Sequence, residues 1–174
     1  MSVRKETIAT EDGKMQRIKK LPERLKTIAG FIGPGASVID VGTDHGYLPV
    51  YLAQTESARR IIASDISAGS LGAARRAAEK YGLSDRIEFI VAPGLTGVSE
   101  ADVDTIVIAG MGGETIAGIL EASPWAVNCR RIILQPQTKI EELRCWLREN
   151  GYAIQEEKQA RDRGRDYTVL FVKN

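Results

Sequence analysis

Ser37-Val38-Ile39-Asp40-Val41-Gly42-Thr43-Asp44-His45-Gly46 is the stretch that decides the fold of this chain. The run 37–41 has the length and composition of a buried strand. Gly42 and Gly46 bracket a turn, and a helix-forming segment opens at Tyr47, with Pro49 in the first turn, where its missing N–H is tolerated. Strand, glycine-bearing turn and helix start is how α/β proteins build ligand pockets over the carboxyl end of a strand. The loop is not a dinucleotide fingerprint. A phosphate-binding turn wants small neutral residues between its glycines, and here stand Thr43, Asp44 and His45.

Outward from this stretch, the chain alternates apolar strands with amphipathic helices. Spacings of three and four among Leu21, Leu25, Ile28, Ala29 and Ile32 predict a helix over 19–32, closed by Gly33-Pro34-Gly35. Further strands are expected at 60–64, 87–91, 105–109 and 131–134, with helices at 47–55, 69–81, 114–121 and 138–149, the last capped by Thr138. Two final strands, 152–158 and 166–172, flank the turn Arg163-Gly164-Arg165. Five strands alternating with helices require crossovers and a parallel sheet, and the last two close the chain as a hairpin. The expected fold is α/β and Rossmann-like: a mostly parallel seven-stranded sheet with a terminal antiparallel hairpin, the layout of class I methyltransferases. Residues 1–18 are expected to be irregular and 19–174 to form one domain.

At 174 residues with a formal net charge of +1, the chain carries no global nucleic-acid footprint. Its charge is uneven, however: residues 1–26 hold eight Lys/Arg against four acids, so a basic front end precedes a slightly acidic body. That end could steer the protein towards an anionic polymer. The two cysteines, Cys129 and Cys145, have neither metal nor disulfide-framework spacing, and the chain has one histidine, so no metal site is expected. There is no apolar run of membrane-spanning length and no secretory signal pattern. The expectation is a cytoplasmic protein, with a monomer favoured and no membrane partner.

In a parallel α/β sheet the ligand lies over the carboxyl ends of the strands. Asp40, Gly42, Asp44, His45 and Gly46 follow the first strand, and Asp65 follows the second, spaced for a carboxylate that binds ribose hydroxyls. Gly110-Met111-Gly112-Gly113 follows the fourth, its backbone free to approach a ligand, and Gln135-Pro136-Gln137 follows the fifth. Each has a plainer reading, as helix cap, turn glycine or strand end, but all four groups fall on one edge of the sheet. Asp40 and Asp44 would repel a pyrophosphate and suit a ligand with a cationic centre and a free amine, such as S-adenosylmethionine.

The segments 40–49 (Asp-Val-Gly-Thr-Asp-His-Gly-Tyr-Leu-Pro), 108–113 (Ile-Ala-Gly-Met-Gly-Gly), 134–137 (Leu-Gln-Pro-Gln) and 143–152 (Leu-Arg-Cys-Trp-Leu-Arg-Glu-Asn-Gly-Tyr) resemble the bacterial tRNA adenine-N1 methyltransferases that modify adenine 22. The resemblance covers about residues 20–172. It implies S-adenosylmethionine as cofactor and tRNA as the partner that accepts the methyl group. It also implies that Asp40, Gly42 and Asp44 line the methionine moiety, that Asp65 and Ile66 hold the ribose and adenosine, and that Gly94, Gly110, Met111, Gly112 and Gly113 complete the cofactor site. Asp44, supported by His45, is the expected catalytic carboxylate. It would stabilise the positive charge of an N1-methylated base or accept its proton.

Two departures from the family pattern stand out. Where the family has Gly-Asp-Gly-Leu after the third strand, this chain reads Ala92-Pro93-Gly94-Leu95. Pro93 offers neither the carboxylate nor an N–H to the donor adenine. One lost charge-assisted hydrogen bond costs roughly 1.5–3 kcal/mol. Family members also continue into a C-terminal helical domain, whereas the sequence here ends at Asn174. Two alternatives therefore stand beside tRNA methylation: a methyltransferase for another RNA or a small molecule, and a non-catalytic binding relative with a weakened donor pocket.

Overall fold

The computed structural model describes residues 21–173. The basic segment 1–18 and the start of the expected 19–32 helix lie outside them. Seven strands form one sheet: β1 (Ala36–Val41), β2 (Ala58–Asp65), β3 (Glu88–Val91), β4 (Thr105–Gly112), β5 (Arg131–Thr138), β6 (Ala153–Asp162) and β7 (Arg165–Lys173). Five helices accompany them: α1 (Glu23–Phe31), α2 (Tyr47–Gln54), α3 (Ala68–Lys80), α4 (Gly113–Glu121) and α5 (Ile140–Glu149). The strand order is β3-β2-β1-β4-β5-β7-β6. β1 to β5 pair in parallel, and β7 runs antiparallel to both of its neighbours. The expected Rossmann-like sheet with a closing hairpin is the observed one.

The two faces of the sheet explain the strand sequences. Val38, Ile61, Val107 and Ile133 point to one face and pack with Ile28 of α1, Leu52 of α2 and Leu71 of α3. Ile39, Ile62, Ile106 and Ile132 point to the other and pack with Ile116 and Leu120 of α4 and Leu143 and Leu147 of α5. Neighbours along a strand face opposite ways, so burial on both faces demands unbroken apolar runs rather than alternation. Each such side chain contributes about 1.5–3 kcal/mol by leaving water.

Three strands outrun their expected ends, β4, β5 and β6, the last reaching Asp162 at the cavity. β4 was expected to stop at Ala109. Gly110, at φ +76°, instead forms a bulge that lets Met111 and Gly112 go on pairing with β5. β5 likewise continues through Gln135-Pro136-Gln137 to Thr138. Its pairing with β7 ends at Leu134 opposite Leu170. Beyond that point β5 has no β7 partner, so a proline that cannot donate to a ladder is tolerated at 136. Thr138 is therefore the last residue of β5 rather than a cap. The residue before α5 is Lys139, at φ +58° and with no side-chain cap.

Candidate active site at the switch between β1 and β4

The strand order reverses between β1 and β4, and a cavity of about 670 Å³ opens over their carboxyl ends. The loop after β1 forms its floor. Gly42 (φ +73°) donates its N–H to the Ser64 carbonyl at 2.8 Å, and Thr43 does so at 3.1 Å, which ties the loop to β2. A Cβ at Gly42 would lie 2.2 Å from Met111 Cε, so the β4 side chain lies directly over the bare glycine. Gly46, in the left-handed region at the start of α2, sits so close to α3 that a Cβ would stand 2.8 Å from that of Ala74. Conformation and packing both require glycine there.

One wall of the cavity carries carboxylates. Asp40, 6% exposed, accepts a hydrogen bond from Thr43 Oγ1 at 2.8 Å. Burial pushes its pKa up to about 6, against the opposing pull of the Thr43 bond and the Arg24 charge; the nearby Asp65 adds to the rise. Asp65 closes β2, and its Oδ1 accepts the Ser67 N–H at 2.7 Å. Ser67 is itself the cap of α3, accepting from the Ser70 N–H. Asp44 stands at the exposed rim at φ +49°, its Oδ2 3.7 Å from His45 Nε2, and the His45 ring lies 5.7 Å from that of Tyr47.

The rest of the lining comes from segments distant in sequence. Pro22 enters from the residue before α1, Arg24 and Leu25 from α1, Gln137 from β5, and Asp162, Arg163 and Tyr167 from the tip of the β6–β7 hairpin. Arg24 Nη1 reaches the Oε1 of Gln135, a fully buried amide, at 3.5 Å. The Arg24 guanidinium carbon stands 5.9 Å from the centre of the Tyr167 ring. Gln137 belongs to the triplet singled out after the fifth strand. Arg24, Asp162, Arg163 and Tyr167 carried no motif, because α1 and the hairpin converge on the cavity only through the order of the sheet.

Of the residues expected at the site, Asp40, Gly42, Asp44, His45, Asp65, Gly110 and Met111 line the cavity. Ile66, Gly94, Gly112 and Gly113 do not. Ile66 lies beside Asp65, 75% exposed at the outer edge. Gly94 abuts Ile119 of α4, and Gly112 abuts Thr138. Gly113 is the tightest: a Cβ there would lie 2.4 Å from the Lys139 carbonyl oxygen, so this glycine lets α4 start against the β5–α5 junction. Pro93 is exposed and also outside the lining. Among the described residues, no group of His, Cys, Asp and Glu is arranged to hold a metal ion, and no helix is long and apolar enough to cross a membrane.

Residues 21–170 match the methyltransferase domain family. A Streptococcus pneumoniae protein, provisionally named a tRNA (m1A22) methyltransferase and solved with S-adenosyl-L-methionine, aligns with a TM-score of 0.84 and 37% identity, over 88% of this chain and 73% of its own. The chain belongs to the tRNA (adenine-22-N1)-methyltransferase family. Its Bacillus subtilis member, the tRNA (adenine(22)-N(1))-methyltransferase, is 40% identical over 154 residues. That alignment takes in 88% of this chain, which spans 65% of the length of the Bacillus subtilis protein. The crystal structure of the Bacillus subtilis m1A22 tRNA methyltransferase aligns with a TM-score of 0.82 at 39% identity, over 88% of this chain and 66% of its own.

Proposed function

We propose that this chain is a cytoplasmic, monomeric enzyme that transfers a methyl group from S-adenosylmethionine to N1 of an adenine in tRNA, the adenine at position 22. The observation that carries the reading is the set of three carboxylates, Asp40, Asp44 and Asp65, around a glycine floor at the sheet's switch point. Family membership supplies the reaction class.

S-adenosylmethionine fits this donor set. The carboxylates match its ammonium, its sulfonium charge and its ribose hydroxyls, and the floor at Gly42 carries only the Met111 thioether above it. When bound, it supplies an electrophilic methyl group. Asp40 and Asp44 would hold the methionine end, and a cationic amine beside Asp40 would favour the ionised carboxylate that burial alone disfavours. Asp65 would take the ribose, and Ile66 would cover the adenine from its exposed position. Gly110 and Met111 occupy the wall past which the acceptor nitrogen must approach. Positioning accounts for most of the expected rate gain. N1-methylation leaves the acceptor base cationic unless N6 loses a proton, and Asp44, with His45 beside it, would stabilise that charge or take the proton. The N1 edge is hidden in a folded tRNA, so the target base must be turned out of its stack to reach the cavity.

Pro93 favours a second reading, a relative whose donor pocket is too weak for turnover. Calorimetric titration with S-adenosylmethionine, followed by methyl transfer to unmodified tRNA, separates the two. Micromolar binding and N1-methyladenine in the RNA are expected. No heat up to millimolar donor, with and without tRNA, rules out the enzyme. Donor binding with transfer only to another acceptor would leave a methyltransferase of different substrate.

A further inference from the structure

The hairpin wall of the cavity has chemistry that the donor does not use. Along β7, Val169 packs in the core with α1, and Phe171 stacks on Phe31 of α1 with ring centres 5.4 Å apart. Tyr167 lies on the same strand face as these two. Its register places it past the point where β5 leaves β7, and it lines the cavity instead. Arg24 lies against this ring and is held in turn by the buried Gln135 amide. Gln137, two residues further along β5, brings a second amide to the same space beside Gly110. An aromatic ring and an amide in a cavity that four carboxylates also line, Asp40, Asp44, Asp65 and Asp162, suit a purine better than a phosphate.

The geometry points to an acceptor-base subsite in which Tyr167 stacks the target adenine and Gln137 pairs with its N6 and N7. This inference rests on the function proposed above and names the residues that select the acceptor. A glutamine amide can accept from adenine N6–H while donating to N7, a pairing that guanine, with acceptors at both positions, does not match. Reading that edge leaves N1 unobstructed, as N1 methylation requires.

The test compares two tRNA transcripts, one with adenine and one with 7-deazaadenine at the target position, while donor affinity is measured separately by calorimetry. Loss of the aromatic stacking partner should make Tyr167→Ala lower kcat/KM for the native transcript about 5- to 150-fold, and Tyr167→Phe should recover most of the loss. Wild-type protein should lose about tenfold on the 7-deaza transcript, and Gln137→Ala should lose about as much on the native one, with no further loss on combining the two changes. Donor affinity should stay within twofold throughout. Additive losses from Gln137→Ala and the 7-deaza base would overturn the edge contact. Wild-type kcat/KM in Tyr167→Ala, or a parallel fall in donor affinity, would overturn the platform. Wild-type protein that methylates neither transcript overturns the underlying reading, and this inference with it.

Discussion

The two walls of the cavity are built in opposite ways. The donor wall is acidic, comes largely from residues 40–45 at the end of β1 and in the loop after it, and is tied to β2 by paired backbone hydrogen bonds. The rest of the lining mixes two guanidiniums, Arg24 and Arg163, with the Tyr167 ring and one carboxylate, Asp162, and is assembled from α1, the end of β5 and the hairpin tip. A contiguous loop anchored to the sheet can be held rigidly enough to grip a small donor of fixed shape. A wall gathered from three separate elements can be altered piece by piece, and such a wall is where acceptor choice can change without disturbing donor chemistry.

The sharpest way to break this contrast is Asp44→Asn. If the exposed carboxylate handles the charge of the methylated base, turnover should fall more than a hundredfold while tRNA binding by gel shift is largely spared. Wild-type activity would remove Asp44 from the chemistry.

Asp40→Asn should separate stability from binding on the donor wall. Burial pushes the folded Asp40 carboxyl up to about 6 against 3.8 for an unfolded aspartate, so its contribution to stability is complete below 3.8 and is lost as pH rises through 6. That rise corresponds to roughly 3 kcal/mol. Denaturant unfolding should show Asp40→Asn gaining about 2 kcal/mol over wild type at pH 7.5 and nothing at pH 3.5, while donor affinity falls. Equal stabilities at both pH values would mean that Asp40 is not strained by its burial.

Asp65→Ala should weaken donor binding by about 10- to 150-fold, through lost hydrogen bonds worth roughly 1.5–3 kcal/mol, and leave the KM for tRNA within twofold. A change in RNA KM alone would blur the two walls. The smallest effect belongs to Arg163→Ala at the exposed hairpin tip. About a twofold loss of tRNA affinity is expected, with the slope of log affinity against log salt shallower by about one unit and donor binding unaltered.

The donor wall was legible in the sequence because its chemistry and its turn are written in consecutive residues. Asp40, Gly42, Asp44 and Asp65 could be placed by strand ends alone. The acceptor wall was legible only at Gln137. Nothing local marks Arg24 or Tyr167, since a guanidinium on a helix and an aromatic on a strand read as surface and core until the sheet order brings them together. The observed boundaries depart from the expected ones where a glycine or a proline lies inside a strand. Gly110 is a bulge inside β4, and Pro136 sits in β5 at a position where no neighbouring strand needs its N–H. The glycine run 110–113 also divides its labour. Its first half faces the cavity, and its last residue makes room for a carbonyl from the next junction.

The methyl of Met111 above Gly42 offers a built-in spectroscopic probe. The chain has three methionines, Met1, Met15 and Met111, and Met111 is the one among the described residues. A donor entering over Gly42 must displace or touch that thioether. With carbon-13 in the methionine methyl groups, one resonance, assigned by its loss in Met111→Leu, would track occupancy of the pocket in solution.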